Sequence, residues 1–98
     1  MPSRAEQLHI DRCTDAVQRY IDRGAQQWGY DDLRSACTYI GDPYPVFDAE
    51  AIALRDWRSA CWTTCHGMLA AALSSTEPRP SVEQVIAALP AIPERPTA

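Results

Sequence analysis

The chain contains no lysine. Its nine basic residues are all arginine, scattered from Arg4 to Arg95 among thirteen acidic residues, for a net charge of −4. A nucleic-acid surface gathers cationic side chains on one face, so this dispersion argues against a nucleic-acid partner. Glycine is scarce too, with four residues spread along the chain, and no glycine-rich loop that could cradle a phosphate is present. Only His9 and His66 could serve as imidazole bases. His9 lies near the start of the chain, and His66 neighbours Cys65 on a predicted helix, where adjacent residues face different directions, so neither makes a convincing catalytic pair. No uniform apolar run approaches the roughly 18 residues of a membrane span, and Met1 to Ile10 lacks the apolar core of a signal peptide. These absences predict a soluble chain, intracellular when made, with no membrane partner.

What the chain does have is helical periodicity. Ninety-eight residues, 46% hydrophobic and 22% charged, suit one domain with a modest core, here assigned to residues 1–90. From Asp48 to Leu73, the residues Leu54, Trp57, Cys61, Cys65, Met68 and Ala72 recur at steps of three or four, and Trp62, Leu69 and Leu73 widen the stripe. This predicts one long helix of about 39 Å at a rise of ~1.5 Å per residue, against which shorter segments pack. The expected fold is all-α, a small irregular bundle of four helices around that rod. Trp57, Cys61, Cys65, Met68 and Leu69 are expected at the centre of the core.

Ser3 and Glu6 form a capping-box pattern opening a helix over 4–23, with Ile10, Cys13, Val17 and Tyr20 or Ile21 on its inner face and Gly24 as its stop. Asp31 is the predicted cap of a short helix over 32–40 that buries Leu33, Ala36, Cys37 and Ile40 and ends at Gly41. Asp42-Pro43-Tyr44-Pro45 must turn. Asp48 is the predicted cap of the long helix, with Phe47 and Ile52 as a hydrophobic staple and Asp48 and Glu50 favourable at the positive end of the helix dipole. Gly67 costs about 1 kcal/mol relative to alanine, which suggests a neighbour approaching closely there, or a kink. After the polar connector Ser74 to Pro80, Ser81 and Gln84 form a second capping box for a helix over 81–89 that Pro90 ends. Residues 91–98 have little to bury and are expected to be extended or disordered.

Four cysteines in a chain without an export signal are expected to be reduced, with Cys61 and Cys65, one turn apart, serving as small apolar core residues. Cys61-Trp62-Thr63-Thr64-Cys65-His66 is a spacing variant of the c-type haem attachment motif with one residue too many between the cysteines. A zinc site would have to combine Cys61, Cys65 and His66 with Cys37 or Cys13, yet His66 projects about 100° away from Cys65. Neither a cofactor nor a metal is expected, and the chain does not read as an enzyme. Three aromatic residues beside loops or off the apolar stripes, Trp28, Tyr39 and Tyr44, are the candidate partner contacts, although residues so placed more often line the edge of the core, and Trp28 is better suited to plugging its end.

Gly29-Tyr30-Asp31-Asp32-Leu33-Arg34-Ser35-Ala36-Cys37-Thr38-Tyr39, then Phe47-Asp48-Ala49-Glu50-Ala51, then Trp57-Arg58-Ser59-Ala60-Cys61-Trp62, and finally the segment from Pro80 to Pro90, resemble in order and spacing a small domain of tail and tail-fibre-associated proteins of tailed bacteriophages and prophages. The resemblance spans Gln18 to Pro90. It implies a helical, non-enzymatic tail component or assembly accessory whose partners are other tail or tail-fibre proteins. It also implies a setting in the bacterial cytoplasm during assembly or in the virion tail, and brings no active-site residues with it. The competing reading is a small host regulatory or adaptor module that binds one protein partner; flanking tail-fibre or baseplate genes would favour the first.

Overall fold

The computed structural model describes residues 2–76 and 78–96, and among them every regular element is a helix. The order is α1 (Arg4–Gln27), α2 (Leu33–Cys37), α3 (Pro45–Leu73) and α4 (Val82–Ala88). The all-α bundle around one long helix is therefore as the apolar periodicity predicts. At 29 residues, α3 spans about 43 Å at ~1.5 Å per residue, most of the molecule's 50 Å long axis.

Helix α1 runs past Gly24, its expected stop, because that glycine serves packing rather than termination. A Cβ built there would lie 2.3 Å from Cη2 and 2.5 Å from Cζ3 of Trp57, so the indole lies where a side chain would begin. The true stop is Gly29, at φ 93°, in the left-handed region that glycine enters without steric cost. Its amide donates to the Gln26 carbonyl and the Tyr30 amide to that of Ala25, the paired bonds of a Schellman closure. At the other end Ser3 accepts from the Glu6 amide, but the Glu6 carboxylate pairs with Arg79 at 2.7 Å instead of completing a capping box.

Helix α2 is shorter than predicted and is capped by Asp32, not Asp31. The Asp32 Oδ1 atom accepts from the Ser35 amide at 2.7 Å, and that bond holds the Asp32 carboxyl below its ordinary range. Beyond Cys37 the amides of Thr38, Tyr39 and Ile40 bond to carbonyls three residues back, a tightening that leaves Ile40 exposed rather than buried. The Leu33 amide donates to Asp22, which ties the start of α2 to α1.

Helix α3 begins at Pro45, earlier than Asp48. Proline is suited to the first helical position, since the amide hydrogen it lacks would have no intrahelical partner there. Phe47 is thus inside the helix and cannot act as the outer half of a staple. Asp48 accepts from the Gly41 amide at 2.7 Å, fastening the turn that leads into α3. Helix α4 has the full reciprocal capping box between Ser81 and Gln84.

Buried Cys13, Val17, Ile21 and Ala25 of α1 meet Leu54, Trp57, Cys61, Cys65 and Leu69 of α3, with Leu33 and Ala36 of α2 and Val85 and Leu89 near α4 closing the core. Met68, expected at the centre, is only partly buried and packs against this cluster from outside. Contacts between Glu6 and Arg79, His9 and Pro80, and Tyr20 and Pro90 run in step along both segments, so the chain from 79 to 90 lies parallel to α1. No neighbour approaches the Gly67 position within 4 Å and α3 continues through it, so the close approach expected there belongs to Gly24.

Candidate functional site

The polar turn between α2 and α3 brings aromatic residues to the surface. Tyr39, Ile40, Tyr44 and Phe47 are exposed at 36%, 38%, 53% and 40%. Their rings touch in sequence: Tyr44 against Phe47 at 4.7 Å between centroids, Phe47 against Tyr39 at 5.3 Å, and Tyr39 against Tyr30 at 5.5 Å. The first two contacts are edge-to-face and the third is tilted, and the edge-to-face arrangement is one that aromatic pairs prefer. Of the three predicted contact residues, Tyr39 and Tyr44 belong to this cluster. Trp28 does not; it is 7% exposed and part of the core. Phe47 joins Tyr39 and Tyr44, although the sequence pattern places it in a staple; its position beside Pro43 and Pro45 is the signal for its exposure.

Behind the cluster lies a buried charge. Glu50 is 2% exposed, and its carboxylate accepts from the Tyr30 hydroxyl at 2.8 Å and from Nε of Arg95. Arg95 also donates to the Trp28 carbonyl at 3.0 Å, and its guanidinium carbon lies 6.0 Å from the centroid of the Trp28 ring. Burial pushes the Glu50 carboxyl upward, but the hydrogen bonds from Arg95 and Tyr30 and the arginine charge together outweigh it, leaving the group below its ordinary range. Burial and the same carboxylate push the Tyr30 phenol up to about 12. Sequence pattern alone places Glu50 at the helix dipole, because periodicity cannot show that a residue 45 positions away supplies its counter-charge.

The segment 91–96 has neither helix nor strand, yet it is tied down more firmly than its composition suggested. The Pro90 carbonyl accepts from Nε1 of Trp57 at 2.9 Å and from the Tyr20 hydroxyl at 3.1 Å, and Ile92 packs on the core. The expectation for Thr97 and Ala98 lies outside the described residues.

Three of the four thiols face inward. All four cysteines are free, and Cys13, Cys61 and Cys65 are fully buried. Burial raises all three, Cys61 to about 11, which keeps them protonated and poor as nucleophiles or metal ligands. His66 is exposed on another face, so it does not converge with Cys61 and Cys65. Among the described residues no group of three or more histidine, cysteine or acidic side chains is arranged to hold a metal. His9 Nε2 lies 2.7 Å from the Pro80 carbonyl and 3.6 Å from Cys13 Sγ. A carbonyl only accepts, so that nitrogen carries the proton and cannot act as a base toward Cys13. One hollow, lined by His9, Ile10, Leu69 and Pro80 among others, has a volume of about 20 Å³, room for about one water molecule.

Among the described residues no helix is long and apolar enough to cross a membrane. No family model, no curated protein and no solved structure matches the chain.

Proposed function

We propose that this chain is a non-enzymatic contact protein, a structural or assembly accessory of a bacteriophage or prophage tail, whose partners are other tail or tail-fibre proteins. The observation that carries the reading is the concentration of exposed large apolar residues in one short stretch: Tyr39, Ile40, Tyr44 and Phe47 account for four of the six along the described chain. Aromatic side chains grouped in this way offer a large contact area while losing little conformational entropy on binding. The tail assignment rests on the order of the motifs from Gly29 to Trp62 and their resemblance to tail-associated domains.

Co-expression with the neighbouring tail and tail-fibre genes, followed by affinity capture of the tagged chain, tests both parts. A tail protein should co-purify with the wild-type chain. Its capture should fall about tenfold or more when Tyr44 and Phe47 are both changed to serine, since central aromatic contacts commonly contribute more than about 1.4 kcal/mol each. If no tail protein co-purifies, the assignment to tail assembly fails. Capture that the double substitution leaves unchanged would remove the aromatic cluster from the interface.

A further inference from the structure

Residues 90–96 lie in their groove in the manner of a bound peptide. Pro90, Pro93 and Pro96 recur every third position, which is the repeat of a polyproline II helix. Ile92 and Arg95 share a second edge with the same spacing, and both side chains contact the body of the protein. Ile92 comes so close to Gly24 that its Cδ1 would lie 3.3 Å from a Cβ built there, and Arg95 reaches Glu50. The groove supplies the hydrogen-bond donors, from Trp57 and Tyr20 to the Pro90 carbonyl. Aromatic residues that donate to the carbonyls of an extended proline-bearing segment are a recurring means of peptide recognition.

The groove also holds its own half of the arrangement in place. Tyr30 orients the Glu50 carboxylate from the protein side, so a buried anion faces the groove and requires a cation. The segment itself contributes little to the core beyond Ile92. Ala91, Pro93 and Glu94 are exposed, and the Arg95 side chain is 52% exposed.

We propose that the groove between α1 and α3 is a binding site for an extended, proline-bearing segment of a partner protein, one carrying a branched aliphatic residue followed three positions later by an arginine. The chain's own residues 90–96 hold the site closed until such a segment displaces them. The groove is not built from residues 39–47, although Tyr30 touches both Tyr39 and Glu50, and the proposal's test does not depend on the tail assignment.

The probe is a fluorescently labelled octapeptide, LPAIPERP, copying residues 89–96, titrated into the full chain and followed by anisotropy. In the wild type the resident segment competes at an effective concentration on the order of millimolar, and binding is weak. A full-length chain with Ile92→Ser and Arg95→Ser should bind the octapeptide at least about tenfold more tightly, because the resident segment keeps only its Pro90 carbonyl contacts and competes less well. Adding Glu50→Gln to this chain, or replacing the octapeptide's arginine by alanine, should each cost about tenfold, as expected for a charge-assisted contact. If the doubly substituted chain loses its helical circular dichroism, Ile92→Ser alone provides the same comparison.

Failure of the octapeptide to bind a folded released chain, or equal binding of a scrambled octapeptide, overturns the proposal. So does a concentration-dependent wild-type dimer, seen by light scattering, that disappears in the released chain, since the occupant would then be the same segment of a second copy.

Discussion

The two halves of α3 are closed in different ways. From Glu50 to Cys61 the helix is enclosed by α1, α2 and the segment after α4, and its inward residues include a carboxylate and an indole whose polar atoms are bonded across the interface. From Trp62 to Leu73 only Cys65 and Leu69 are fully inside, while His66, Gly67, Ala70, Ala71 and Leu73 face outward. The first half is held by shape and by paired polar groups, so it should respond strongly to a single added atom and to pH. The second half is held by one apolar stripe and should tolerate changes on its outer faces. The same residue type can therefore have opposite consequences in the two halves.

Glycine gives the sharpest version of the contrast and the largest expected effect. Gly24→Ala places a methyl group inside the Trp57 ring position, and overpacking of this kind typically costs about 1–3 kcal/mol. For a protein of this size that is a melting temperature lower by about 5–20 °C, measurable by thermal denaturation. If Gly24→Ala melts at the wild-type temperature, the indole is not seated on that glycine and the two halves are not different in the way described.

The polar closure should also make the first half sensitive to pH at both extremes. Glu50 is held below its ordinary range, so the stability it confers is present above the unfolded glutamate value and is lost as pH falls through the lower, folded value. Tyr30 is raised to about 12, so its contribution is complete below the ordinary tyrosine value of about 10 and fades as pH rises from there toward 12. Chemical denaturation across pH should therefore show a plateau with losses on both sides. Glu50→Gln should flatten the part of the acid loss that belongs to this carboxylate, and an unchanged acid limb would detach Glu50 from the closure.

Gly67→Ala is the matched experiment on the second half. Nothing stands within 4 Å of the added Cβ, so the gain is one of helix propensity, about 1 kcal/mol of stabilisation. A loss there would mean that the outer face of α3 is covered. The smallest effect concerns thiol access, which changes no stability. Cys37, the one partly exposed cysteine, should label with a thiol reagent under native conditions, while Cys13, Cys61 and Cys65, buried and held protonated, should label only on unfolding. Rapid native labelling of all four would contradict a closed core.

These contrasts also explain what could be read from the sequence. The apolar repeat through Leu54, Trp57, Cys61 and Cys65 and the Ser81 to Gln84 capping box identified the helices, because both signals lie within a few residues of what they specify. A stop at Gly24 and a close approach at Gly67 are not what the structure shows, because each turns on a distant part of the chain: Trp57 packs on Gly24, and nothing packs on Gly67. The dipole role of Glu50 fails for a local reason, since α3 begins at Pro45 and only Asp48 lies in its first turn, while its actual partner, Arg95, is distant in sequence. Pro43 lies in the turn, as its chemistry predicts, but Pro45 opens α3, since proline can both end one helix and begin the next. The aromatic cluster was half visible through Tyr39 and Tyr44. The seating of residues 90–96 could have been suspected from prolines recurring at every third position.

Hydrogen exchange of the Trp57 indole N–H in the wild-type chain near neutral pH tests the central claim most directly, because that proton joins the long helix to the Pro90 carbonyl. The account predicts exchange as slow as that of core amides. An indole exchanging as fast as a free side chain would show that the segment after α4 does not close the groove.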